Sequence, residues 1–269
     1  MTLTLRLTAA LLASLCALNA WADSDANQVM KAVKDRHRGD TWITTSTVVL
    51  IDKDNARSAR KVKTLNKKNS AQLKSKTLLL EPARIAGTAF LSYDWADASK
   101  DDEAWIYLPE LAKVSRMATG SRADYFLGSD YSYGDLEDIK LENYDFSLVT
   151  DDKTPADQWL VQALPRADIA QKVIDRTGYQ KVWFWVDKDK SMVVKAKYWL
   201  RDAGWIKFRT VSDIQKIDGV WVAKREQMVL TQQGAVVHAT TVTNDDTKVN
   251  APIDDGQFAA QSLGSSLAP

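Results

Sequence analysis

The chain has 269 residues, with 36 lysines and arginines against 35 aspartates and glutamates. This near balance argues against nucleic acid as a partner, because nucleic-acid binding needs a strong basic excess. Ten tryptophans and eight tyrosines are many for this length, and large amphipathic rings suit interfaces, pockets and pleated surfaces.

The first 22 residues have the pattern of a cleavable signal peptide. Arg6 is followed by an apolar run over residues 7–18 and then by Ala20-Trp21-Ala22, a small-x-small cleavage pattern. The run is shorter than the about 20 residues that span a bilayer, and no later segment approaches that length without charges. We therefore expect a mature periplasmic protein, residues 23–269, that is not integral to a membrane.

Cys16 is the only cysteine of the chain. It follows Leu15, whereas lipidation of a signal peptide needs a small residue at that position, so we expect no lipid anchor. The mature chain then lacks disulfides, although its compartment would permit them. Its length fits a single β-rich domain, since such domains commonly reach about 200–250 residues.

Hydrophobic periodicity predicts the elements in chain order. Residues 26–37 form a short amphipathic helix with Met30 and Val33 on one face, and Gly39 ends it. Strands follow at 42–51, 58–65, 77–80, 87–91, 105–108 and 113–117. The segment 122–137 mixes aromatic residues with glycine and aspartate, which indicates a loop and then a short helix near 132–138.

The second half of the chain has the pattern of a regular meander. Strands are predicted at 143–149, 158–164, 179–187, 191–200, 204–213, 220–231 and 235–248, with a last helical turn around Phe258. Asp218-Gly219 between alternating runs is a strong hairpin signal. About ten antiparallel strands form a twisted sheet that must curl or close, and a few short helices remain to cover one face. Such a sheet has a hollow, apolar concave side, where ligands bind.

Signals for catalysis and for metal binding are weak. His37 and His238 have no acid or nucleophile at a fixed spacing, so an exposed helix-end histidine and a sheet histidine are the default interpretations. Asp52/Asp54 and the Asp187/Asp189 pair lack the glycine and the distant glutamate of a calcium loop and read as turns. We expect no catalytic residue, no metal site and no cofactor.

Aromatic residues are more informative than the polar ones. In residues 181–186, Trp183 and Trp185 point to one face, and Val182, Phe184 and Val186 point to the other. An antiparallel sheet commonly has one wet face, so two apolar faces predict that a helix, a partner or a ligand covers the second. The residues that we expect to line a hydrophobic cavity are Trp105, Tyr107, Met117, Phe126, Tyr131, Phe184, Met192, Ile206 and Phe208.

Five segments, ordered along most of residues 78–263, resemble the LolA-like outer-membrane lipoprotein-sorting family. They are residues 82–91 (PARIAGTAFL), 105–109 with 113–116 (WIYLP and KVSR), 126–136 (FLGSDYSYGDL), 217–221 (IDGVW) and 258–263. The third segment is the most specific. Gly134 departs from the family pattern, which tends to have glutamate there, and we expect it to loosen the short helix by about 0.5–1 kcal/mol.

The resemblance implies an unclosed, strongly curved antiparallel barrel with short helices as a lid over the concave face. It also implies an apolar cavity for lipid or lipoprotein acyl chains, and a partnership with an inner-membrane transporter of the resistance-nodulation-division (RND) superfamily. Residues 119–137, rich in glycine and aromatic residues, are the predicted lid.

Three functions follow from these observations. The first is a monomeric, non-enzymatic carrier that moves an acylated or hydrophobic cargo. The second is an envelope regulatory or structural module that binds a protein partner. The third is an enzyme, which would require a convergent polar constellation in the cavity that the sequence does not show.

Overall fold

The structure, a computed structural model, describes residues 25–97, 99–118 and 122–264. The predicted signal peptide lies outside the described residues, as do positions 119–121 of the predicted lid. No helix in the described part of the chain is long and apolar enough to cross a membrane.

Within the described residues, two α-helices accompany a large sheet. Helix α1 covers residues 25–35, where Ala26 and Met30 are fully buried. Gly39 follows it with φ of +82°, and a β-carbon there would lie 2.6 Å from Val249 Cγ1, so only glycine fits. Helix α2 (Ala170–Thr177), which the sequence analysis did not predict, ends at Gly178, whose N–H donates to the Ile174 carbonyl.

Thirteen strands are present among the described residues. They are β1 (Thr41–Asp52), β2 (Arg57–Lys68), β3 (Gln72–Glu81), β4 (Ala89–Trp95), β5 (Glu103–Leu108), β6 (Lys113–Arg116), β7 (Tyr144–Leu148), β8 (Gln158–Pro165), β9 (Tyr179–Asp187), β10 (Met192–Leu200), β11 (Trp205–Ile217), β12 (Val220–Gln232) and β13 (Ala235–Val249). The hairpin predicted at Asp218-Gly219 joins β11 to β12, and both residues have positive φ, as a type I′ turn requires.

All thirteen strands form one antiparallel sheet in the order β6-β5-β4-β3-β2-β1-β13-β12-β11-β10-β9-β8-β7. Strand β1 pairs with β13, which joins the two halves of the meander in the middle of the sheet. Strands β6 and β7 remain as the two edges, so the sheet curls without closing. The predicted fold class, an unclosed and curved antiparallel barrel with short helices, is confirmed.

The concave face is the one that carries α1 and the segment between β6 and β7. Register pairs place Phe184, Ala196, Arg209 and Met228 in one row across this face. The main buried cluster forms here, where Met30 of α1 packs with Phe184, Ala196 and Met228. Helix α1 therefore fills the concave face over strands β7–β12.

The C-terminal segment covers the opposite, convex face of β3–β5. Phe258 and Leu263 are fully buried there with Leu78, Ala89 and Leu91. Short 3₁₀ turns at Asp255–Phe258 and Ala260–Ser262 shape this segment, which confirms the predicted helical turn around Phe258.

Lysine side chains cover the second apolar face of β9 and β10. Lys181 lies 4.0 Å and Lys197 lies 4.4 Å from the ring centroid of Trp199, and Lys195 lies 4.6 Å from that of Trp185. The pairing places these lysines directly across from tryptophans of the neighbouring strand. Aliphatic lysine stems, and not a helix of the described chain, shield these rings and keep the ammonium groups in water, while cover by a partner or a ligand stays a prediction.

Candidate functional site

A cavity of about 510 Å³ lies between the concave face of β1–β3 and β10–β13, helix α1, and residues 126–139, which we call the cavity cover. This volume is within the range of about 300–1,000 Å³ typical of ligand pockets. Its apolar wall is formed by sheet residues and by residues of the covering segment: Val48, Val62, Leu79, Met228, Phe126 and Ile139.

The floor of the cavity is polar but internally bonded. The Ser46 hydroxyl donates to Asn244 Oδ1 at 2.7 Å, and Asn244 Nδ2 donates to the Ala223 carbonyl at 2.7 Å. The hydroxyls of Thr64 and Thr77 lie 3.2 Å apart and share a hydrogen bond. Because these groups already have partners, covering them with an apolar chain costs less than covering unpaired polar atoms.

Two aspartates of residues 126–136, the segment with the most specific family resemblance, hold that segment over the sheet. Asp130 accepts from the Thr240 hydroxyl at 2.7 Å and lies 2.8 Å from His238 Nδ1. Asp135 accepts from the Tyr179 hydroxyl at 2.7 and 2.8 Å. The short helix predicted near 132–138 is a 3₁₀ turn at Gly134–Leu136. Its role as part of a lid stays a prediction.

A buried ionic network holds the next part of this segment. Arg122 and Arg176 both bind Glu137, at 2.9 and 2.7 Å. Arg38 makes two hydrogen bonds to Asp138, at 2.8 and 2.6 Å. Burial opposes ionisation of Asp138, but these bonds outweigh it and lower the pKa of that carboxyl. The network ties the cavity cover to α2 and to the start of β1.

Asp94 belongs to the same network and gives a test of it. Burial raises the pKa of Asp94 to about 6, although Lys140 binds it and partly offsets the effect. The native state thus binds the proton of the Asp94 carboxyl more tightly than the unfolded chain does. The stability that this protonation contributes is lost as pH rises through about 6. We compare the unfolding free energies of wild type and Asp94→Asn. The difference, wild type minus variant, should decrease as pH rises from about 4 to about 6. Urea denaturation measures it, and a rising difference would contradict the assignment.

Three of the nine predicted cavity residues line the cavity: Phe126, Tyr131 and Met192. Two more lie on the concave face but inside packed clusters, since Phe184 is buried under α1 and Met117 packs against the cluster of Phe90. Contact of any of these side chains with a ligand stays a prediction.

The other four residues require correction. Trp105 and Tyr107 face the convex side, where they pack under the C-terminal segment. Ile206 and Phe208 also lie on the convex face, because the alternate residue, Lys207, is buried on the concave face against Tyr179. A shift of one residue moves every side chain of a strand to the other face. Because the convex face also carries apolar residues, hydrophobicity does not show which residues of a strand point into the cavity.

Phe208 therefore offers a test of the observed register. We expect Phe208→Thr to lower the unfolding free energy by about 1–2 kcal/mol, since a half-buried ring that packs near Lys197 is lost. The dissociation constant of an apolar fluorescent probe should not change. A tenfold loss of probe affinity in a folded Phe208→Thr variant would show that Phe208 lines the cavity, contrary to the observed register.

Several cavity residues escaped the sequence analysis. Arg36 and Arg60 line the cavity, as do Val48 and Val62 on the β1–β2 hairpin. In β2, arginine and lysine alternate with small or apolar residues, which reads as a half-solvated strand. No group of three or more potential metal ligands occurs within the described ranges.

A family model described as "Uncharacterized protein" matches residues 71–265. No curated protein matches the chain. Solved structures do: a domain assigned as an outer membrane lipoprotein-sorting protein from Vibrio parahaemolyticus has a TM-score of 0.78 and 23% identity, covering 90% of this chain and 99% of that one.

Two further structures are similar. A DUF1329 family protein from Desulfovibrio piger has a TM-score of 0.79 and 19% identity, with 90% of this chain and 99% of that chain covered. A LolA superfamily protein from Nitrosomonas europaea has a TM-score of 0.64 and 18% identity, with 87% and 97% covered. At these identities the likeness establishes a shared fold.

Proposed function

Because this chain belongs to the family whose model matches residues 71–265 and is a LolA-like protein by fold, we propose that it is a periplasmic carrier that binds lipid or lipoprotein acyl chains. The observation that carries the proposal is the cavity of about 510 Å³, whose apolar wall is not filled by the protein's own side chains.

The physical basis of such a carrier is the cost of exposing an acyl chain to water. Each exposed CH2 group costs about 0.8 kcal/mol, so a long chain crosses an aqueous compartment only when it is shielded. The wall formed by Val48, Val62, Leu79 and Met228 offers that shield on the sheet side, and Phe126 offers it on the cover side.

Release of cargo requires a second state of the protein or a competitor for the cargo. The predicted lid, of which the structure describes residues 122–137, is the candidate for movement. Phe126 and Leu136 of this segment line the cavity. Asp130 and Asp135 hold the segment to the sheet and Glu137 holds it to Arg176 of α2, so opening requires that these bonds break. An acceptor that binds the cargo or the cover more tightly would open it.

Finer features of the function belong to the same proposal. The leader pattern of residues 1–22 supports export and a mature single domain over residues 23–269. We propose that the protein acts as a monomer, without catalysis, beside an RND-superfamily transporter. The support for the transporter is the sequence resemblance alone.

Mass spectrometry of the protein purified from a periplasmic extract under non-denaturing conditions tests the function. We expect a co-purifying acyl lipid or acylated peptide, and after delipidation we expect the neutral probe N-phenyl-1-naphthylamine to bind and to be displaced by amphiphiles. Absence of a bound lipid together with no probe binding by the folded, delipidated protein would reject the carrier. That result would favour the alternative function, an envelope regulatory or structural module that binds a protein partner.

A further inference from the structure

The carboxylates that face the cavity are all paired with cations. Each binds at least one basic side chain: Asp135 with Lys207, Glu137 with Arg122 and Arg176, Asp138 with Arg38, and Glu226 with Arg209. Every negative charge of the cavity is therefore already neutralised within the protein.

Arg36 lines the same cavity without a carboxylate partner in the described part of the chain. Its Nη1 donates to the Trp221 carbonyl at 3.2 Å. Burial, together with repulsion by Arg38 and Arg209, lowers the pKa of Arg36 to about 10. The guanidinium remains charged at neutral pH. Asp138 and Glu226 attract it from beyond ion-pair distance, and each of these carboxylates is already bound to another arginine.

Tyr131 adds an unpartnered polar group to the same cavity and, like Arg36, interacts electrostatically with Arg209 and Glu226. Its hydroxyl is buried and has no hydrogen-bond partner within the described ranges. Burial first, and then the nearby Glu226, raise the pKa of Tyr131 well above its usual value, so the hydroxyl keeps its proton. A buried donor without an acceptor costs stability and is satisfied when a ligand supplies an oxygen.

The neighbouring charges are fixed in place. Arg209 binds Glu226 through Nε at 3.0 Å and Nη2 at 2.6 Å. Burial opposes the charge of Arg209, but Glu226 outweighs it and raises the pKa of the arginine. We call Arg36, Tyr131, Arg209 and Glu226 the Arg36 subsite. It contains two cations and one anion, and it offers donors to an incoming oxyanion.

We propose, on the basis of the carrier function proposed above, that the ligand is an anionic amphiphile whose carboxylate or phosphate head binds at the Arg36 subsite. Its tail then lies along the apolar wall of Val48, Val62, Leu79 and Met228. Guanidinium groups match the planar, two-oxygen edge of carboxylate and phosphate, which makes such pairs strong and directional. Tyr131 donates a further hydrogen bond to the head.

Displacement of N-phenyl-1-naphthylamine from the delipidated full-length mature protein tests this inference with matched amphiphiles below their micelle concentrations. Palmitate is compared with hexadecanol, and monopalmitoyl phosphatidic acid with monopalmitoylglycerol. We expect the anionic member of each pair to bind about 10- to 100-fold more tightly, as for hydrogen bonds to a charged group. Inorganic phosphate, which has no tail, should not displace the probe, and displacement by phosphate at the same concentrations would reject the amphiphile class.

Arg36→Gln should remove most of the preference for the anionic member and leave the affinity for hexadecanol unchanged. Tyr131→Phe should weaken anion binding by a smaller factor, about 2- to 10-fold. Arg60→Gln is the matched control, because Arg60 also lines the cavity without a carboxylate partner among the described residues but bonds the Leu127 carbonyl at another wall. We expect it to keep most of the preference.

The outcomes separate the two proposals. Equal binding of palmitate and hexadecanol would overturn the anionic head and leave the carrier function intact. Failure of every amphiphile to displace the probe would reject the carrier function itself. Equal losses of preference in Arg36→Gln and Arg60→Gln would overturn the Arg36 subsite, because the cavity would then attract anions through its general charge.

Discussion

Val62→Asp is expected to weaken binding of a neutral apolar probe by about 10- to 100-fold. Val62 is half-buried on β2, lines the cavity, and lies directly across from Ser46. A carboxylate there removes apolar wall and must lose water when an apolar chain covers it, which costs about 1–3 kcal/mol. Fluorescence titration with N-phenyl-1-naphthylamine measures the change in the dissociation constant.

Ala59→Asp is the matched control for this change. Ala59 lies on the same strand, is exposed, and pairs with Val49 on the convex face. Both substitutions introduce one aspartate into β2, so both should lower the unfolding free energy by about 1 kcal/mol through strand propensity. Only Val62→Asp should lose probe affinity, and similar losses in both variants would show that the probe does not bind in this cavity.

Glu137→Gln is expected to lower the unfolding free energy by about 3–5 kcal/mol. The Glu137 side chain is 4% exposed and lies between the side chains of Arg122, 1% exposed, and Arg176, 18% exposed. Removing its charge leaves buried guanidinium groups poorly compensated, which is more costly than never burying the pair. Urea denaturation followed by tryptophan fluorescence measures the loss.

Arg116→Gln provides the comparison for Glu137→Gln. It breaks the ion pair between Arg116 and Glu103 at 3.0 Å, in which the arginine side chain is 65% exposed. Exposed pairs contribute about 0–1 kcal/mol, so this variant should remain close to wild type. If Glu137→Gln were equally mild, the network would not be what holds the cavity cover in place.

Local patterns predicted the strands and turns well. Asp218-Gly219 fixed the β11–β12 hairpin because positive φ at both positions suits few residue pairs. The C-terminal turn around Phe258 was equally recognisable, since one buried aromatic in a polar tail needs a surface to cover. Helix α2 was missed because it spans only eight residues, too few for a periodic pattern to stand out, and Ile169 at its N-cap gives no helix-start signal.

The face of the sheet to which each strand side chain points could not be predicted from local patterns. In β11 the apolar residues Ile206 and Phe208 lie outside, and the charged Lys207 and Arg209 lie on the concave side, where Tyr179 and Glu226 bind them. Hydrophobicity alone assigns the opposite orientation. The partners lie on other strands, 28 and 17 residues away along the chain, so only the assembled sheet shows that the inward charges are paired.

The cavity itself was predicted as a hollow lined mainly by aromatic residues. Its observed lining is mixed, with valine, leucine and methionine above a floor of serine and threonine. In β1, threonine, serine and apolar residues occur on both faces, and in β2 basic residues alternate with small or apolar ones, so neither strand gives a distinct apolar signal for the cavity face. The sequence could not single out Arg36, because only the folded sheet shows that each carboxylate lining the cavity is ion-paired to another cation.

The most direct test of a lipid-carrying cavity is a crystal structure of the delipidated protein loaded with palmitate brominated near its tail. Anomalous scattering from bromine locates the chain without interpretation of weak density. We expect a bromine peak against the apolar wall near Val62, Leu79 and Met228. A bromine peak on the convex face beside Trp105 or Phe208, with the concave cavity empty, would contradict the account.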